Sequence, residues 1–120
     1  MSASRIRHVA LVVDDVPILR LEVVDMLEEA GFEVGGVKAA RAVLESRHDV
    51  TLLFTDVHLW RGQEGVALAH EVADRWPPVA IIVCSALPEV KVDRLPAKAR
   101  FIGRPYHAGQ ALRMLEQMLR

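Results

Sequence analysis

Four places in the 120-residue sequence hold side chains able to do chemistry together. Asp14 and Asp15 close an apolar run that begins at His8, and Asp56 closes a second run, Val50 to Thr55. Ser85 follows the run Val79 to Cys84, and Arg104 and Pro105 follow the stretch Ala99 to Gly103. Each aspartate alone has a plainer use. Asp15 can cap the helix that Pro17 opens, because a carboxylate accepts the unpaired amide hydrogens of a first turn. Asp56 can be a turn residue. The combination points further. Three carboxylates converging from two run ends raise one another's proton affinity unless a cation sits among them. A hard divalent ion with oxygen ligands resolves that conflict, and Mg²⁺ commonly takes one or two carboxylates plus waters and phosphate oxygens.

These residues meet only if the runs before them lie side by side. His8–Val13, Val50–Thr55 and Val79–Cys84 are short, continuous and rich in branched residues, as strands buried on both faces are. Phe32–Val37 and Ala99–Gly103 read as two further strands. Helical spacing separates them. Leu19, Val23, Met26/Leu27 and Ala30 form a stripe that Gly31 ends. Ala39–Arg47 reads as a short helix with Ala42, Val43 and Leu44 inward. Glu64–Trp76 carries Val66, Leu68/Ala69, Val72 and Ala73 and stops at Pro77 and Pro78. His107–Arg120 shows Ala111/Leu112, Leu115 and Met118/Leu119. Val57–Gly62 is a loop. Pro88 and Pro96 limit any helix between Leu87 and Ala99 to a short one. Strands alternating with helices predict an α/β fold, a doubly wound five-stranded parallel sheet covered on both faces. Such sheets gather their functional residues at the carboxyl ends of the strands.

Composition narrows the class. The chain has 15 Lys+Arg against 16 Asp+Glu, 52% hydrophobic residues and one cysteine. That excludes a disordered chain and an internal disulfide, and it predicts one domain over 1–120 in the cytoplasm. Near-zero net charge without a basic cluster argues against nucleic acid as a partner. No apolar run is long enough for a membrane span. His8, His48, His58, His70 and His107 lack ligand spacing, so zinc is not expected. Cys84 reads as a core residue, and Gly62 and Gly65 as turn residues.

Val12-Val13-Asp14-Asp15, Leu53-Phe54-Thr55-Asp56-Val57, Val83-Cys84-Ser85-Ala86 and Gly103-Arg104-Pro105-Tyr106 stand in the order and rough spacing of one family. Over essentially its whole length the chain resembles the receiver domain of two-component response regulators. The resemblance implies a (βα)5, flavodoxin-like fold. It implies that Asp56 accepts a phosphoryl group from a sensor histidine kinase or a histidine phosphotransfer protein. It implies that Mg²⁺ is held by Asp14, Asp15, Asp56 and the backbone carbonyl of His58. Ser85 would hydrogen-bond a phosphoryl oxygen, and Ser85 and Phe101 would be the moving parts of a switch. The chain would be no enzyme beyond its own Mg²⁺-dependent phosphorylation and dephosphorylation.

Three departures bear on that expectation. Arg104 stands where the family has lysine, and a planar fork is not a compact point charge. Trp60 replaces a usual proline. The segment between Ser85 and Arg104 is a little short, so the fourth helix of the family is expected to be shortened or irregular. The leading expectation is a stand-alone receiver that changes its surface toward a downstream protein or a second copy. The alternatives are a phosphate sink or shuttle, and a pseudo-receiver acting as a constitutive binding module, for which Arg104 is the best support. A phosphatase with an aspartyl nucleophile is disfavoured, because His58 stands where a second acid is wanted.

Overall fold

A computed structural model describes residues 8–36, 40–57, 64–85 and 94–119. Five strands and four helices alternate among them: β1 (Val9–Val13), α1 (Pro17–Glu29), β2 (Glu33–Gly36), α2 (Ala40–Ser46), β3 (Val50–Asp56), α3 (Glu64–Arg75), β4 (Ala80–Ser85), β5 (Arg100–Gly103) and α4 (Ala108–Met118). All strand pairs are parallel, in the order β2-β1-β3-β4-β5.

Alternation of side chains across the strands divides the core in two. Leu11, Val13, Leu53, Ile81 and Val83 face one way, against Leu44 of α2 and Leu68, Ala69 and Val72 of α3. Ala10, Val12, Leu52, Phe54, Ile82 and Cys84 face the other way, against Val23 and Leu27 of α1 and Ala111 and Leu115 of α4. Every residue of β1 and β4 is buried, which is why both read as unbroken apolar runs. The edge strand β5 buries only Ile102 fully.

Helix boundaries follow local chemistry. Pro17 occupies the first turn of α1, where its missing amide hydrogen has no helical partner to lose. Gly31, at φ 98°, turns the chain out of α1 while its amide and that of Phe32 return to the carbonyls of Glu28 and Leu27. Two details differ from the sequence expectation. Ala42 is exposed, because Ala40, Val43 and Leu44 already fill the single inward stripe of a seven-residue helix. Ala30 is exposed at the C-cap of α1, one position beyond the last turn. The expected shortened fourth helix falls mostly outside the described residues; 94–99 form turns in which Leu95 and Pro96 are buried. The loop expected over Val57–Gly62 is described only at Val57.

Candidate functional site

The chain runs from β1 outward to β2, then returns to β3 on the other side of β1. That reversal between β1 and β3 opens a crevice at their carboxyl ends. Val13 pairs with Thr55, so the next residue on each strand, Asp14 and Asp56, comes to the same edge. On the far side Asp56 pairs with Cys84, and Ser85 pairs with Gly103. Asp14, Asp56, Ser85 and Arg104 therefore come from four adjacent strands.

Arg104 joins the set. Its Nη1 donates to Asp56 Oδ2 at 2.8 Å and its Nη2 donates to Asp14 Oδ2 at 2.8 Å. Its backbone N–H donates to the Ser85 carbonyl at 2.9 Å, which fixes the start of the side chain. The side chains of Arg104, Asp14 and Asp56 are 13%, 2% and 12% exposed, so these contacts are shielded from water. Burial opposes the guanidinium's charge, but the carboxylates of Asp14 and Asp56 outweigh it and hold the Arg104 pKa above its ordinary value. Arg104 is thus a permanent cation in the crevice. The Arg104–Pro105 peptide is cis.

Asp14 has a second duty. Its Oδ1 accepts the Val16 amide at 2.9 Å, an Asx turn that leads into α1. Val16, which precedes the helix, offers no capping oxygen. Asp14 thus shapes the entry to α1 through the amide of the residue that precedes the helix. Asp15 is half-buried beside it.

Ser85 is buried at the end of β4, and Phe101 packs half-buried on the cluster under α3, in register with Val83. His58 and Trp60 lie outside the described residues. Cys84 points to the α1/α4 face, away from Ser85. Burial pushes its thiol up to about 12, so it is an unreactive core residue as expected. Tyr106, half-buried with its ring 6.4 Å from that of Phe54, is pushed up to about 12 by burial as well.

Sequence reasoning missed three supporting residues. Arg20 Nη1 donates to the Asp14 carbonyl at 2.9 Å; its only signal was a basic residue one turn into α1. Thr55 Oγ1 donates to the Asp56 carbonyl at 3.0 Å from a fully buried position. Gly65 presses against Asp56: a Cβ there would lie 1.8 Å from the Asp56 carbonyl oxygen. The turn role read for Gly65 is therefore a close-approach role, legible only once α3 is packed on β3.

The donor set suits a hard cation. Asp14 and Asp56 direct oxygens at one small volume, as the shared guanidinium demonstrates, and two carboxylates are a common protein share for Mg²⁺. Among the described residues no three His, Cys, Asp or Glu side chains are gathered closely enough to hold a metal, and Arg104 bridges Asp14 and Asp56. No helix among them is long and apolar enough to cross a membrane.

Comparisons with known proteins agree with this fold. The family model of the response regulator receiver domain matches residues 10–100. The chain is 28% identical over 120 residues to the chemotaxis protein CheY of Bacillus subtilis, covering 93% of this chain and 98% of that one. A response regulator receiver protein from Sinorhizobium medicae superposes with a TM-score of 0.82 at 22% identity, over 94% of each chain. The receiver domain of NtrX from Brucella abortus superposes with a TM-score of 0.77 at 25% identity, over 92% of this chain and 97% of that one.

Proposed function

The chain belongs to the response-regulator receiver family, and on that premise we propose that it accepts a phosphoryl group on Asp56 from a phosphohistidine of a sensor kinase or phosphotransfer protein in the cytoplasm. The observation that carries this reading is the position of Asp56. It ends the central strand with one carboxylate oxygen on Arg104 and with Asp14 beside it. In the transfer an Asp56 oxygen bonds the phosphorus and the phosphorus–nitrogen bond of the donor breaks. Its electron pair stays on the imidazole nitrogen, and an acyl phosphate is left on Asp56. Positioning and charge neutralisation supply most of the catalysis in such a step. Arg104 neutralises charge on the acceptor, and the Ser85 hydroxyl would donate to a phosphoryl oxygen. Asp14, Asp15, Asp56 and the carbonyl of His58 would hold Mg²⁺, which when bound supplies further charge neutralisation for the transferred group.

A phosphohistidine on another protein must dock beside this crevice. Ile18 and Leu21 on α1 are 67% and 58% exposed, and Val16 next to the site is 41% exposed. Three exposed apolar side chains at and just before the first turns of α1 suit a protein partner. Phosphorylation would then shift the chain between two conformations, with Ser85 and Phe101 as the moving parts, and alter its surface toward a downstream protein or a second copy. The chain acts as a signalling element and catalyses only its own phosphorylation and dephosphorylation. The test is to incubate parent and Asp56→Asn with acetyl phosphate and Mg²⁺ and to measure intact mass. The parent gains one phosphoryl group and the variant gains none; an undiminished adduct on Asp56→Asn rejects the assignment.

The Arg104 bridge favours a second reading. It neutralises the crowded carboxylates without a metal, as a constitutive binding module would need. In that case the parent gains no phosphoryl mass and binds its partner equally with and without the donor.

A further inference from the structure

Arg104 does more than stand in for a lysine. Both carboxylate oxygens of Asp14 have donors: Oδ1 holds the Val16 amide at 2.9 Å, and Oδ2 holds Arg104 at 2.8 Å. Each oxygen keeps a second lone pair for a metal ion, but the one already held by a guanidinium takes a second cation only with two like charges at short range. Giving up the Val16 bond would undo the entry to α1, so the oxygen free to change partner is the one on Arg104. The same guanidinium spans to Asp56 Oδ2 with its other nitrogen. A forked cation can bridge two carboxylates from two strands in one rigid plane, which a compact ammonium cannot. A second cation placed between those oxygens meets the guanidinium at short range, and like charges in a shielded crevice repel strongly.

The guanidinium also has somewhere to go. A groove of about 420 Å³ lies between α1 and the start of α4, and Arg104 lines it together with Glu22, Leu19, Met26 and Tyr106. Its apolar walls suit the methylene stem of an arginine. Glu22 offers a carboxylate there.

We propose that Arg104 is an internal counter-cation that a divalent ion must displace, and that the displaced guanidinium is received by Glu22 in the groove between α1 and α4. The proposal rests on reading Asp14 and Asp56 as metal ligands. It makes cation binding an exchange of partners by one side chain, so that the metal affinity of this chain is set by Arg104 and Glu22, neither of which is a ligand.

The test is calorimetric titration with Mg²⁺ at neutral pH, which reads binding and not phosphorylation. Arg104→Gln is expected to bind Mg²⁺ at least about tenfold more tightly than the parent, since close charge pairs in shielded sites couple by at least that much. Arg104→Lys falls between the two. Glu22→Gln weakens binding about two- to threefold in the parent, and has no effect in the Arg104→Gln background, because partners in one exchange are not additive. Arg100, an exposed arginine of β5 bonded to Gln117, is the control for net charge: Arg100→Gln leaves the affinity unchanged. Thermal melts establish that each variant folds; if Arg104→Gln does not, Arg104→Lys decides the matter by the same criterion. Mg²⁺ affinity no higher than the parent's in the Arg104 variant overturns the proposal, and so does an equal rise in Arg100→Gln. An equal effect of Glu22→Gln in both backgrounds overturns the receiving role of Glu22. Failure here with a phosphoryl adduct still forming on the parent leaves the receiver reading intact. Absence of Mg²⁺ binding in parent and variants alike, with no adduct, removes both.

Discussion

Gly65→Ala is a one-methyl test of how the fold positions Asp56, the proposed phosphoacceptor. The added Cβ would lie 1.8 Å from the Asp56 carbonyl oxygen, 2.8 Å from the Asp56 carbonyl carbon and 2.9 Å from the Val57 carbonyl oxygen. A carbon–oxygen contact is comfortable at about 3.3 Å, so α3 and the end of β3 must part by roughly 1.5 Å. All three obstacles are backbone atoms, and no rotamer change relieves them. Overpacking of this kind costs typically about 1–3 kcal/mol, and the top of that range applies here. Alanine's better helix propensity returns at most about 1 kcal/mol, less at the second residue of a helix. The net loss is therefore about 2 kcal/mol. At roughly 4 °C per kcal/mol for a domain of this size, Tm should fall by about 8 °C. The displacement also moves Asp56 relative to Arg104, whose 2.8 Å bond needs both strands in place. Urea unfolding followed by circular dichroism measures the first effect. The rate of phosphoryl mass gain from acetyl phosphate measures the second, and it should drop. An alanine variant within about 0.5 kcal/mol of the parent would refute the close-approach account, since that is the range of neutral surface changes.

Two further predictions concern groups that take no part in the proposed chemistry. Burial pushes the Cys84 thiol up to about 12, so a disulfide reagent at pH 8 should leave the native protein unlabelled over the time in which urea-unfolded protein reacts fully; rapid labelling of native protein would contradict this. Hydrogen bonds from Arg41 and Arg75 hold the Glu71 carboxyl below its ordinary value, tying α2 to α3. A depressed folded pKa stabilises the protein above the unfolded value and loses that contribution as pH falls through the folded one. Glu71→Gln should therefore lower stability at neutral pH by less than about 1 kcal/mol, with the gap to the parent closing in acid; a gap that is constant with pH in urea titrations would show that charge is not involved.

The difference between what was legible in the sequence and what was not follows the length of the side chains involved. Strands β1, β3 and β4 announce themselves because both of their faces are buried, and β5 is recognisable mainly through the Gly103-Arg104-Pro105 that follows its single deeply buried residue, Ile102. Once the strands are parallel, their carboxyl ends share one edge, so the backbone alone brings Asp14, Asp56 and Ser85 together. Short side chains end close to where the backbone leaves them. Arg104 ends several bonds away, and which carboxylate it meets depends on the spacing of β1, β3 and β5 across the sheet. From sequence the change from lysine to arginine reads either as weaker pairing with the acceptor aspartate and the phosphoryl group or as a reach to some other partner. In the folded chain Arg104 also contacts Asp14, on the oxygen that the proposed metal ion would use. Gly65 was opaque for the complementary reason: its importance lies in an atom it lacks, and only the packing of α3 on the end of β3 reveals where that atom would have been. An unusual cation at the end of the last strand is therefore best judged by its competition with the metal as well as by its grip on the phosphoryl group, because in a crevice this small the two compete for the same oxygens.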